Sequence, residues 1–161
     1  MIGQNFGFMR NKVCSEILQN EDIIRALVIE DDDFLNATPK SDKQEYIDNP
    51  IKLMRNYIYP YKRIFDTTVE KKTIISTEFS NFEKLGKNYR NGLVTFYILV
   101  PVDLENTTYG IRYDFIGDEL ENIFNNTNIG EFSFNSRGDI DVGDRYIGHY
   151  ISFQITEFHI P

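Results

Sequence analysis

The segment Leu93 to Val102 carries apolar residues on both of its alternating faces, Val94, Phe96, Ile98 and Val100 on one and Leu93, Tyr97 and Leu99 on the other. A strand with one face in water alternates apolar with polar residues. A strand that does not alternate belongs at the centre of a sheet, covered on both sides. The neighbouring segments are expected to pair around it. Lys72 to Phe82 alternates, with Thr73, Ile75, Thr77 and Phe79 on one face and Ile74, Ser76 and Glu78 on the other. Glu83 to Asn91, polar and containing Gly86, predicts a hairpin tip between these two strands.

Farther along, Tyr109 to Phe124 has helical spacing through Arg112, Tyr113, Ile116, Leu120, Ile123 and Phe124. Phe132 and Phe134 mark a short strand, Asn135 to Gly138 a turn, and Ile147, Ile151, Phe153 and Ile155 a long last strand. The expected fold class is therefore α+β. A helical N-terminal region precedes a mainly antiparallel four-stranded sheet, ββαββ, with a helix packed on one face.

The N-terminal region, residues 1–29, predicts two helices. Met9, Val13, Ile17 and Leu18 define the buried face of the first. Asn20 is placed to cap the second, with Glu21 and Asp22 in its first turn and Ile23, Ile24, Leu27 and Val28 as its buried side. Residues 30–49 change character. Glu30-Asp31-Asp32-Asp33 opens a polar stretch in which only Phe34, Leu35, Tyr46 and Ile47 offer anchorage. Connections of this length are usually functional arms or flexible loops. Asn49-Pro50 predicts a cap and first-turn proline for a short helix through Tyr57, and residues 50–161 carry the sheet and helix core. The 161 residues make one domain.

Composition narrows the chemistry. One cysteine, Cys14, and two histidines, His149 and His159, leave no disulfide framework and no multi-cysteine or histidine metal cage. Such a chain suits a reducing cytosol, or a virion assembled there. Cys14 lies within the first predicted helix, where a thiol acts as a small hydrophobe. The acidic run Glu30 to Asp33 has consecutive carboxylates that do not converge as a cation requires. Asp139-Ile140-Asp141-Val142-Gly143-Asp144 lacks the frame of a calcium loop and reads as a turn between strands. Asp114, Asp118, Glu119 and Glu121 on the Tyr109 helix read as a solvated face or a subunit contact. With no nucleophile elbow and no phosphate-cradling loop, no catalytic residue, cofactor or metal is assigned, and the chain is expected not to be an enzyme. The start, Met1 to Asn5, lacks the basic-then-apolar order of a signal peptide, and no apolar run is long enough to span a membrane. A net charge of −8 argues against a nucleic-acid-binding face.

The second half resembles the tail-completion, or tail-terminator, proteins of long-tailed phages. The likeness is carried by Ile58-Tyr59-Pro60-Tyr61-Lys62, by Thr73 to Phe79, and by Leu93 to Asp103 with its end at Val100-Pro101-Val102-Asp103. It continues through Gly110-Ile111-Arg112-Tyr113-Asp114-Phe115-Ile116, Leu120 to Phe124, and Tyr146 to Phe153. It covers about residues 50–160; the acidic insertion from Glu30 to Asp48 lies outside it. The resemblance implies an α+β sandwich that assembles as a ring of six on the end of the tail tube. Such a ring stops tube growth and joins the tail to a head-completion or neck protein, with no membrane and no reaction involved. DNA would pass through its lumen without specific binding, and the net charge of −8 leads to the expectation of a wall more acidic than basic.

The contacts expected to build such a ring are Tyr59, Tyr61 and Tyr89, with Lys84, Lys87 and Arg90 on the hairpin. The hairpin is expected to dock against the tube or a neck partner. Another head-to-tail joining protein is the nearest alternative, with a ring of twelve as its mark. A small bacterial ligand-binding or regulatory domain is the more distant one, marked by an enclosed apolar pocket.

Overall fold

A computed structural model describes residues 6–63, 71–87, 89–125 and 131–158. Helices come first: α1 (Phe6–Leu18), α2 (Glu21–Val28) and α3 (Ser41–Asp48), with a short 3-10 turn after them at Pro50–Leu53. The strands are β1 (Ile58–Tyr59), β2 (Ile74–Leu85), β3 (Tyr89–Pro101), a two-residue ribbon of β4 (Asn106–Thr107) and β5 (Gly110–Ile111), then β6 (Glu131–Ile140) and β7 (Tyr146–Phe158). The last helix, α4 (Arg112–Phe124), lies between β5 and β6. One five-stranded sheet runs in the order β1-β2-β3-β7-β6. Every pairing in it is antiparallel except β1 with β2.

The α+β fold is as expected, and the sheet gains a strand at one edge. The tyrosine-rich turn after Leu53 places Ile58 and Tyr59 beside Ile75 and Ser76, so the predicted helix through Tyr57 stops at Leu53. At the other edge, residues 135–138 continue β6 rather than turning. A register shift between Phe134 and Ser136 absorbs their irregularity, and Arg137 faces α4. The turn falls at 141–145, where Gly143 has a φ of +101° and its N–H meets the Asp141 carboxylate at 3.1 Å. The predicted hairpin tip is likewise mostly strand, because Glu83 pairs with Asn91, Lys84 with Arg90 and Leu85 with Tyr89.

α1, α2 and α4 cover one sheet face. Met9, Val13 and Ile17 from α1, and Ile23, Ile24, Leu27 and Val28 from α2, join Phe96, Ile98, Ile151 and Phe153 of the sheet. The capping of α2 is as the sequence predicts, with the Asn20 side chain accepting the Ile23 N–H at 3.0 Å. Phe124 of α4 stacks on Phe96 and on Phe132, each at 5.0 Å between ring centres. β3 is central, but among the described residues its second face is not covered by another layer. A small cluster of Tyr59, Ile74, Leu99 and Tyr146 closes one end of that face. The rest presents groups such as Thr95, whose hydroxyl reaches Ser152 at 3.4 Å. No described helix is long and apolar enough to cross a membrane.

Phe124→Ala removes the ring on which two sheet aromatics stack. It should cost about 3–5 kcal/mol, seen as a lower urea midpoint at unchanged slope. Phe134→Ser, half-exposed at the edge with its ring against Phe153, should cost less, about 1 kcal/mol.

Candidate assembly surfaces

The stretch Glu30 to Asn49 is folded onto the domain, and the cause is a residue far along the chain. Arg112 begins α4 and is 1% exposed. Its Nε–H donates to the Leu104 carbonyl at 2.9 Å. Nη1 donates to Ala26 and Ile29 at 2.8 and 2.9 Å, and Nη2 to Glu30 and Asp31 at 3.3 and 3.2 Å. A guanidinium has five N–H donors, and each meets a carbonyl. Four of those carbonyls lie at the end of α2 or just beyond it, where a helix leaves its acceptors unsatisfied. Burial lowers the Arg112 pKa to about 10, while Asp32, Glu30 and Asp31 favour its charge. The group remains a cation at neutral pH.

With their carbonyls turned inward, Glu30, Asp31 and Asp32 turn their carboxylates out, and all three residues are exposed. They form an acidic ledge. Phe34 anchors the chain just beyond the ledge, fully buried with Tyr109 and Phe115 edge-on at 5.0 Å each. Asp33 accepts a hydrogen bond from the Tyr109 hydroxyl and another from Asn36, which together hold its carboxyl below the usual range. A cavity of about 390 Å³ opens beside the ledge, lined by the apolar Val28, Ile29 and Leu104, by Thr38, and by Glu30, Asp31 and Asp42 together with Lys40 and Lys43.

A second network holds edge strand β6. Arg137 Nη1 reaches Asp118 and Glu121 of α4, each at 2.8 Å, and its Nε donates to His149 Nε2 at 2.9 Å. Since the guanidinium can only donate, Nε2 accepts; the imidazole proton therefore sits on Nδ1 and points to Asp139, 3.0 Å away. Tyr113 stacks on the imidazole at 4.8 Å. Hydrogen bonds from His149 and Tyr113 hold Asp139 below the ordinary carboxylate range. Both ring nitrogens are engaged, so His149 has no lone pair to offer a substrate. His159 lies outside the described residues. Gly117 gives the guanidinium its place, since a Cβ there would sit 2.5 Å from Arg137 Nη2. Asp118 and Glu121, read as a solvated helix face, thus serve the edge strand. Cys14 is packed in the core, and burial pushes its thiol up to about 12. No three of His, Cys, Asp and Glu converge as metal ligands among the described residues.

The six residues expected at an interface do not form one surface. Tyr59 is buried in the second-face cluster, 4% exposed, because β1 tucks it against Ile74 and Tyr146. Tyr61 stays exposed, its ring edge-on to Tyr59 at 6.0 Å. Lys84, Lys87, Tyr89 and Arg90 lie together on the β2–β3 hairpin, about 30 Å farther up β2 at ~3.3 Å per residue. Lys84 and Lys87 are exposed, as is Tyr89, whereas Arg90 leans inward with its guanidinium over the Phe82 ring at 5.5 Å. Phe82 itself lies across Gly92, where a Cβ would come within 2.4 Å of the ring. Leu85, opposite Tyr89, carries no signal in the sequence that marks it as a surface group, yet it is exposed at the tip. Phe134 is a second such case. Its alternation with Phe132 reads as burial, but β6 is an edge strand and turns it half outward.

Fold and surfaces together define a small α+β domain with one helix-covered sheet face, a projecting hairpin and an acidic ledge. The chain belongs to the YomW family, whose model matches residues 20–155. That span runs from the α2 cap into β7 and includes the ledge, Arg112 and the hairpin. No curated protein matches the chain.

Arg112→Met should destabilise the domain by about 3 kcal/mol or more, because buried carbonyls lose their donors. Arg112→Lys should recover little of this, having three donors for five acceptors. Hydrogen exchange should show protection lost first over residues 26–37; equal loss throughout would mean that the contact does not localise to this ledge.

Proposed function

We infer that this chain is a structural protein of a phage particle, a tail-terminator-like subunit that forms a ring of six on the tail tube. The setting rests on family membership, since YomW is a Bacillus phage-region protein. The mode of action rests on the surface. The observation that carries it is the β2–β3 hairpin, which projects the exposed pair Leu85 and Tyr89 between exposed lysines. Apolar and aromatic groups held out on a structured element are what a protein partner buries, and basic ones beside them set register and encounter rate. In this reading the tail tube and a head-completion or neck protein are the neighbours. The ring stops tube growth, and DNA passes through an acidic lumen without adhering, consistent with a net charge of −8.

Native mass measurement and negative-stain imaging of the purified protein, alone and with tail tubes, test this reading. An annulus of six that caps tubes and halts their lengthening is the expected result. An annulus of twelve would instead favour another head-to-tail joining protein. A protein that stays solitary even when offered tubes would sink the assembly reading. Replacing the tip between Lys84 and Arg90 with a short Gly-Ser turn should leave the fold intact and abolish capping.

A further inference from the structure

We propose that the ring is closed by the hairpin of one copy entering the acidic cavity of the next. The proposal rests on the assembly reading above and says which surfaces meet. Three observations carry it. The first is separation. The hairpin stands at the Tyr89 end of β3, and the cavity, lined by Leu104, lies just past its Pro101 end. β3 is 13 residues long and spans about 40 Å at ~3.3 Å per residue. A copy cannot reach its own cavity, so contact between the two surfaces is head-to-tail, the heterologous type from which rings are built.

The second observation is charge. Among the described residues Lys84 and Lys87 form no ion pair with an acid, and Glu30, Asp31 and Asp42 form none with a base. The charges of Arg112 and Lys71 nevertheless act on Glu30, that of Arg112 also on Asp31, and that of Lys43 on Asp42. Lys84 stands directly opposite Arg90, and like charges so placed weaken a hairpin. The basic tip is therefore not explained by the stability of the hairpin itself. On the cavity side three acids stand with two lysines, Lys40 and Lys43, the latter also donating to the Tyr57 hydroxyl at 2.8 Å, which leaves the rim with one more acid than base.

The third is shape and polarity. Leu85 and Tyr89 are 47% and 51% exposed at the tip, and the cavity floor is Val28, Ile29 and Leu104 in about 390 Å³. Apolar anchors would meet an apolar floor while lysines meet carboxylates at the rim. Arg112 makes the receiving side rigid. It fixes the backbone of Glu30 and Asp31, so little ordering entropy is lost when the hairpin arrives.

Two charge-swapped variants test the contact. Lys84→Glu with Lys87→Glu reverses the tip, and Glu30→Lys with Asp31→Lys reverses the rim. Each variant alone should associate at least about tenfold more weakly than the parent, because like charges now meet. An equal mixture of the two should assemble again, alternating around the ring, and so should one chain carrying all four changes. Circular dichroism confirms folding of each. Should the rim variant unfold through repulsion with Arg112, the tip variant and the uncharged Leu85→Ser carry the test, both expected to weaken association. If the parent forms rings and the tip variant forms them equally well, this contact is wrong while the assembly reading stands. If the parent never forms a ring, with or without tubes, both fail.

Discussion

A buried guanidinium is costly, and the way Arg112 is satisfied organises the N-terminal half of the domain. Its position is unfavourable by local rules. It opens α4, where the helix dipole repels a cation, and Ile111 before it offers no side-chain cap. The compensation comes from another helix. The C-terminal end of α2 has carbonyls without partners and a dipole that attracts positive charge, and it lies against the start of α4. One side chain thus ties the end of one helix to the beginning of another. The run of acids after α2 then lies over the cation, partly offsetting its desolvation. Remove Arg112 and nothing else described holds Glu30 and Asp31 by their backbone.

The opposite edge of the sheet uses the same chemistry in another arrangement. Arg137 ties β6 to α4 through Asp118 and Glu121, and to β7 through His149. Edge strands present unpaired backbone and are prone to wander or aggregate. Here the strand is pinned from its helix side by a charged fork, with the imidazole held in one tautomer between Arg137 and Asp139. α4 therefore serves as the common beam. Its first residue fixes the ledge, and its later acids, through Arg137, fix the edge.

Much of this architecture is legible in the sequence, and the part that is not has a physical reason. The double-sided apolar run places β3 at the centre, and helical spacing locates α1, α2 and most of α4. Asn20 announces the start of α2 because capping is a local interaction. What periodicity cannot carry is a partner about 80 residues away along the chain, as Arg112 is from Glu30 and Asp31. Glu30 to Asn49 reads as a loose arm because its own side chains offer few anchors, whereas its backbone is held by Arg112 and Arg25 from elsewhere. The interface residues divide for a similar reason. Lys84, Lys87 and Tyr89 are near in sequence and share one hairpin, but Tyr59 is buried by a two-residue parallel strand too short to leave a pattern. Asn135 to Gly138 has turn composition, yet its pairing with β7 and the hold of α4 on Arg137 keep it extended.

The distribution of charge grows out of these constraints. The chain has 25 acids against 17 bases, yet the end of the β2–β3 hairpin, with Lys84, Lys87 and Arg90, is basic. A uniformly acidic surface would keep copies apart, and a mixed one would let them meet in many orientations. Lys84, Lys87 and Arg90 at one end of β3, and at the other the ledge carboxylates with Lys40, Lys43 and Lys71 among them, give the domain unlike ends along its central strand. An object with a direction and complementary ends associates head-to-tail, and two equivalent ends would instead favour a two-fold pair. In the proposed ring the rigid ledge and the paired hairpin would limit the angles at which successive copies join, which is what separates a closed ring from an open filament.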